Sequence, residues 1–265
     1  MAERKQEKAR ARAERETRER ELAAAERRKR RVWQLGAVAA VAVALVAILV
    51  LVSQSGDDGS PSAGTKSASG VVGAPQTTRL FAGIPQKGES LGRPDAPLVM
   101  TEYADLQCPF CRDYTLRAMP TLVQRYVRTG RLRMQLKLVS IIGPDSDTLN
   151  LAAASAAAKN RMWNFADLTY RNQGKENSGW VTDDVVRKLA AATPGLVPAT
   201  VVAAANDPGS STLPAAWSTA AQAAGVNSTP TFALNRRGGA PQPLNVSSLD
   251  ASAFTGPIDS LLGGR

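Results

Sequence analysis

Histidine is absent from the 265 residues, and cysteine occurs only twice. Without histidine the chain lacks the commonest general base, the commonest metal ligand and any Ser-His or Cys-His nucleophile pair. The usual hydrolase arrangements are thereby excluded. Two cysteines make at most half of a four-ligand zinc site, so no metal is expected. No cysteine lies near the one long apolar run, which excludes a lipid anchor there. The first 31 residues hold no aromatic side chain, and seven acidic residues interleave with their 13 basic ones. That pattern reads as a solvated helix beside a membrane rather than a nucleic-acid arm, and no nucleic-acid partner is expected.

What is present divides the chain into unequal parts. Overall there are 33 Lys and Arg against 23 Asp and Glu, but residues 1–31 alone carry a net charge of +6. Glu14, Glu16 and Glu26 precede Arg18, Arg20 and Arg30 by four residues, the order that supports a helix. Val32 to Val52 is an apolar run of 21 residues with only Gln34 strongly polar. At about 1.5 Å per residue it reaches across a hydrocarbon core of ~30 Å. Arg27 to Arg31 abut its start and Asp57 and Asp58 follow its end, so the positive-inside rule places the N-terminus in the cytoplasm. The expectation is a single-pass membrane protein whose C-terminal part is extracytoplasmic. Ser53 and Ser55 leave processing as a cleaved signal peptide open as the alternative.

Residues 53–79 are rich in Ser, Gly, Ala and Thr and read as a flexible linker spanning roughly 30 Å. The folded domain is expected over 80–265, with a first strand near Leu80 to Ile84. Leu98 to Ala104 reads as a buried strand bearing one carboxylate, Glu102. A helix is predicted from the cysteines to Arg128, with Pro109 in its first turn, a kink at Pro120 and an end at Gly130. Leu132 to Ile142 alternates as a second strand. Between about 143 and 225 the pattern is helical, including Leu149 to Asn172 and a helix capped by Thr182. A hairpin of Thr231 to Leu234 with Leu244 to Val246, then a helix over 249–262, closes the chain.

The cysteines stand in Cys108-Pro109-Phe110-Cys111, the C-x-x-C spacing of a redox dithiol. A dithiol catalyst needs a thiolate to attack or be attacked and a second thiol near enough to resolve the mixed disulfide. A helix start supplies amide donors and a favourable dipole to the first of them. A structural disulfide is the bland alternative. Glu102, six residues upstream on an apolar strand, is either used in the chemistry or a strand-edge carboxylate in water or paired with an arginine.

Three motifs in order carry a resemblance: Leu91-Gly92-Arg93-Pro94-Asp95-Ala96-Pro97, then Glu102-Tyr103-Ala104-Asp105 before Cys-Pro-Phe-Cys, then Gly225-Val226-Asn227-Ser228-Thr229-Pro230-Thr231-Phe232. Over about two thirds of its length the chain resembles the membrane-anchored, DsbA-like branch of the thioredoxin superfamily. The resemblance implies an α/β thioredoxin fold with an inserted α-helical domain. It also implies that Cys108 is the exposed attacking cysteine and Cys111 the buried resolving one. Glu102 would lie beneath the disulfide and manage protons for Cys111, its pKa raised by burial. Pro230 matches the family's cis-proline, with Thr229 open to pair with an extended substrate, and Pro109 and Phe110 complete the substrate-binding surface.

The implied activity is that of a protein thiol-disulfide oxidoreductase with no cofactor beyond its own disulfide. Its partners would be exported cysteine-containing proteins and a re-oxidising membrane protein, for which a quinone-linked oxidase is the candidate. One departure stands out. Strongly oxidising members carry histidine where this chain has Phe110, and a phenyl ring gives a thiolate neither charge nor hydrogen bond. A milder oxidant is expected, with a reductase or isomerase, or a non-catalytic tethered scaffold, as the alternatives.

Overall fold

The computed structural model describes residues 70–264. The charged segment 1–31, the membrane-spanning helix expected over 32–52 and most of the expected linker lie outside the described residues. Among the described residues no helix is long and apolar enough to cross a membrane.

Order begins earlier than expected. Helix α1 runs Ala74–Phe81, so neither the linker to 79 nor a strand at Leu80 to Ile84 is found. The reason is spacing: Thr77, Leu80, Phe81 and Ile84 are all buried, and they recur at the three- and four-residue intervals of a helical face. Phe81 lies 6.4 Å from the ring of Trp163. Asn172 bonds both Val72 N and Val72 O, which fastens the entry to α1.

Six strands form one sheet, β1 (Gln86–Lys87), β2 (Ser90–Leu91), β3 (Leu98–Ala104), β4 (Leu132–Leu138), β5 (Thr231–Arg236) and β6 (Gln242–Pro243), in the spatial order β1-β2-β4-β3-β5-β6. β3 runs parallel to β4 and antiparallel to β5, so it is held on both sides. Alternation puts Leu98, Met100, Glu102 and Ala104 on one face and Val99, Thr101 and Tyr103 on the other. Glu102 pairs in register with Leu136 and Phe232, two apolar neighbours.

After β3 the chain forms α2 (Pro109–Arg117), α3 (Met119–Leu122) and a π turn over Val123–Val127. The expected single helix breaks at Ala118, because Pro120 has no N–H to continue the ladder. β4 stops at Leu138 rather than Ile142, since the Asp105 carboxylate takes the amides of Ile141 and Ile142, each at 2.9 Å.

Five helices then intervene before β5: α4 (Pro144–Ala158), α5 (Met162–Arg171), α6 (Asp183–Ala191), α7 (Pro198–Ala205) and α8 (Leu213–Ala223). The stretch expected as one helix from Leu149 divides at Asn160, whose φ of 56° leaves the right-handed helical region. Thr182 caps α6 as expected, its hydroxyl accepting from Val185 N. The hairpin closes through Gln242–Pro243, not Leu244 to Val246, because the turn sets Leu234 opposite Gln242. Helix α9 (Ala251–Gly263) ends the fold.

Tyr114 of α2, Phe232 of β5 and Phe254 of α9 stack with centroids 4.7–5.1 Å apart, welding these helices to the Glu102 face. Tyr103, Val139 and Ala221 of α8 form a smaller cluster on the opposite face. The sheet is thus covered on both sides around its central strand.

Candidate active site

The loop leaving β3 delivers Cys108 to the N-cap position of α2, with Pro109 as the first helical residue. Proline suits that place because its missing N–H has no partner to lose there. Cys108 N donates to Asp105 O at 2.9 Å, and Cys108 O accepts from Arg112 N at 3.1 Å, so the backbone on both sides of the thiol is fixed. Cys111 follows one turn later. The two cysteines are unbridged, and Cys111 is fully buried.

Cys108 is 4% exposed, not the open thiol that the resemblance implies. The cause is the loop before β5, which returns over the helix start until Sγ of Cys108 lies 3.3 Å from Thr229 O. The Thr229-Pro230 peptide is cis. Pro109 and Phe110 are the exposed members of the motif, Phe110 at 63%.

The two thiols are displaced in opposite senses. Cys108 falls to a pKa of about 6, chiefly through the hydrogen bond from the Cys111 side chain. Thr229 and the amides of Cys111 and Phe110 help, and burial opposes. These amides are the orphan donors of the first helical turn. Burial is the main cause that drives Cys111 well above the ordinary thiol range, with its bond to Cys108 and the charges of Cys108 and Glu102 adding to it. Neither Arg112 nor Arg117 serves the thiolate. Arg112 Nε donates to Tyr170 O at 3.1 Å, and Arg117 pairs with Asp250 at 2.5 Å on the surface.

Glu102 is 2% exposed, in the middle of the sheet and, among the described residues, without an arginine partner, which disposes of the strand-edge alternative. Its Oε1 has no hydrogen-bond partner among the described residues. Burial, with the Cys108 charge in support, raises its pKa to about 8. The phenols of Tyr114 and Tyr170 are buried nearby and pushed well above their usual range by burial, with the Glu102 charge contributing.

Several site residues were not singled out from the sequence. Asp105, fully buried, accepts from Gln107 N, Ile141 N, Ile142 N and Ser146 Oγ at 2.7–2.9 Å. Tyr170 donates its hydroxyl to Asp105 O, and Gln173 Nε2 donates to the carbonyls of Leu106 and Cys108. The helices between β4 and β5 therefore grip the cysteine loop from behind. Asp105 could have been suspected from its place in the motif, but Tyr170, near the end of α5, and Gln173, just beyond it, come about 65 residues later in a stretch that looks like packing.

A central carboxylate beneath a dithiol at a helix start, on a mixed sheet with a cis-proline loop opposite, defines a thioredoxin-like protein of DsbA-like architecture. The chain belongs to the thioredoxin family, whose model, described as Thioredoxin, matches residues 86–247. The probable disulfide bond formation protein D of Bacillus cereus is 35% identical over 104 residues, 38% of this chain and 48% of that protein. This chain thus matches about half the length of that curated relative. In fold it resembles oxidised BdbD from Bacillus subtilis, with a TM-score of 0.60 and 21% identity over 68% of this chain and 98% of that one. Chlamydia trachomatis DsbA gives 0.57 and 18% over 67% and 93%.

Proposed function

We propose that the protein is a thiol-disulfide oxidoreductase, held in the cell membrane by residues 32–52, that passes its Cys108-Cys111 disulfide to exported cysteine-containing proteins. A substrate thiolate attacks Sγ of Cys108, and the Cys111 sulfur leaves as a thiolate and takes a proton from Glu102. A second substrate thiolate then attacks the substrate sulfur of the mixed disulfide and releases Cys108 as a thiolate. The substrate loses two electrons and the dithiol gains them. A membrane partner, a quinone-linked oxidase by chemical class, takes them away.

The observation that carries this reading is the opposite displacement of the two thiols across one helical turn. A thiolate that is stable at neutral pH is a good leaving group, and its stability favours the reduced enzyme, which makes the disulfide oxidising. Thr229 and Pro230 on one side and Pro109 and the exposed Phe110 on the other offer an extended substrate chain a backbone edge and an apolar contact. The similarity to the probable disulfide bond formation protein D of Bacillus cereus supports disulfide formation.

A pKa of about 6 also supports a second reading. It lies between the roughly 7 of thioredoxin and the roughly 3.5 of the strongest oxidant of this type, so a reductase or isomerase held reduced by an electron donor fits the same site. Equilibration with glutathione buffers separates donor from reductant: a potential of about −120 to −180 mV, where strong oxidants and isomerases both lie, supports the disulfide donor, and one near −270 mV the reductant. Both readings require that Cys108 alkylates first after reduction and that Cys111→Ser accumulates mixed disulfides with clients. A variant that traps nothing would overturn them together.

A further inference from the structure

The two ends of the sheet carry different charge. β3 and β4 run parallel, so Ala104 and Leu138 lie at the dithiol end, while Leu98, Leu132 and Arg236 align in register at the other, about 20 Å away along the strands. Six exposed arginines gather at that far end: Arg93, Arg125, Arg128, Arg131, Arg236 and Arg237. Packing fixes their placement. The Arg93 stem lies so close to Gly130 that a Cβ there would stand 2.8 Å from Arg93 Cδ. The guanidiniums of Arg125 and Arg131 both lie over the Tyr126 ring, at 5.2 and 5.1 Å, and Arg131 Nη2 donates to Arg125 O. Arg128 donates to the carbonyls of Leu80 and Ala82 at the end of α1, and Arg237 N donates to Pro97 O just before β3.

Among the described residues two carboxylates answer these six, Asp95 with Arg93 and Asp259 with Arg125. Arg128, Arg131 and Arg237 have no carboxylate partner there. Elsewhere in residues 70–264 the charges balance, 12 basic side chains against 12 acidic, so the whole positive excess of the domain sits at this one end. Like charges held this close repel, and a negative surface from outside relieves that repulsion.

We propose that the arginine end is a docking surface for the anionic phospholipid headgroups of the bilayer spanned by residues 32–52, and that it holds the domain with the dithiol turned away from the membrane. This rests on the reading of residues 32–52 as the anchor. The sequence reads residues 53–69 as linker with a span of roughly 20–25 Å, which keeps headgroup phosphates at high local concentration around the domain. All six side chains are arginine, whose planar fork bonds phosphate oxygens two at a time and gives up water more readily than an ammonium. Docked in this way, Cys108 faces the exported chains. Re-oxidation at the membrane then requires the domain to let go, which a contact made by a few exposed charges permits.

The test uses the full-length chain in vesicles of phosphatidylcholine, with or without phosphatidylglycerol, carrying a dye on the headgroups. One label, on Ala240→Cys with both native cysteines changed to serine, reports the arginine end from the exposed turn after Arg237. A second, on Cys108 in Cys111→Ser, reports the dithiol end. On anionic vesicles at low salt, energy transfer to the headgroup dye should be high from the first label and low from the second. The contrast should vanish on phosphatidylcholine alone and at about 1 M salt, where screening acts within ~3 Å. Arg131→Gln with Arg237→Gln should lower the docked-to-free ratio roughly fivefold for each charge removed, and Arg131→Lys with Arg237→Lys should keep most of it. Exchange with a soluble dithiol peptide should hold the parent rate in both, since neither residue touches the dithiol. Equal transfer from the two labels on anionic vesicles overturns the proposal, as does a contrast that persists on phosphatidylcholine; neither arm needs a charge variant to fold. A soluble polyphosphate that abolishes the contrast at equal phosphate assigns the end to a soluble polyanion and overturns it too. Chain that washes off the vesicles at high salt removes the anchor and the proposal with it, whereas chain that stays bound without the contrast overturns the docking alone.

Discussion

Replacing Glu102 by glutamine should make the protein more stable at alkaline pH, and the amount follows from its surroundings. The carboxyl stays protonated to about pH 8 in the folded protein, against an ordinary value of 4.5. Because the folded pKa is the higher one, the group's contribution is complete below pH 4.5, is lost as pH rises, and is gone above 8. At about 1.4 kcal/mol per pH unit the loss is on the order of 4–5 kcal/mol. Glutamine has the same shape and no charge to bury, so it escapes the loss. Cys108 acts in the opposite sense: its pKa is lowered to about 6, so its stabilising contribution is present above the unfolded thiol value and lost as pH falls through 6. The comparison is therefore made in a Cys108→Ser background, where burial, the larger cause of the Glu102 shift, remains. Urea unfolding at pH 5, 7 and 9 should give nearly equal stabilities at pH 5. At pH 9 the Gln variant should lead by about 3–5 kcal/mol, allowing for the lost Cys108 charge. Parallel pH dependences from 5 to 9 would refute the reasoning, because they would mean that Glu102 ionises in the fold as it does in the unfolded chain.

Phe110→His should place a donor beside the Cys108 thiolate, lower its pKa below 6 and raise the potential by about 30 mV for each unit of pKa; ultraviolet titration of the thiolate and glutathione equilibration check both. Asp105→Ala strips partners from the amides of Gln107, Ile141 and Ile142 and from Ser146. It should cost about 3–5 kcal/mol in thermal or urea unfolding; a loss under 1 kcal/mol would contradict the described network. Removing residues up to Phe81 should destabilise the domain by several kcal/mol, at about 1.5–3 kcal/mol for each large buried apolar side chain, so a fragment starting at 70 should unfold at higher urea than one starting at 82.

The central strand was legible because Leu98 to Ala104 is apolar at strand length, and β4 because its alternation is strict. The dithiol was legible because the only two cysteines share one short motif. Leu80 to Ile84 misled because so short an apolar stretch fits either period; the deciding contact, Phe81 against Trp163, comes from a helix much later in the chain. β4 ended early for a reason no local propensity contains, the capture of two amides by Asp105.

The sequence by itself determined which groups are available for chemistry: two thiols, one carboxylate on an apolar strand, a proline and threonine before the last hairpin, and no imidazole to lower the thiol further. Those are matters of residue type and spacing. Only the tertiary structure decided their energies. Glu102 is shifted because β4 and β5 close over both sides of it. Cys108 is covered because a loop 121 residues away returns to within 3.3 Å of its sulfur. Burial and hydrogen bonding depend on what the rest of the chain brings near, and the long-range packing sets those distances.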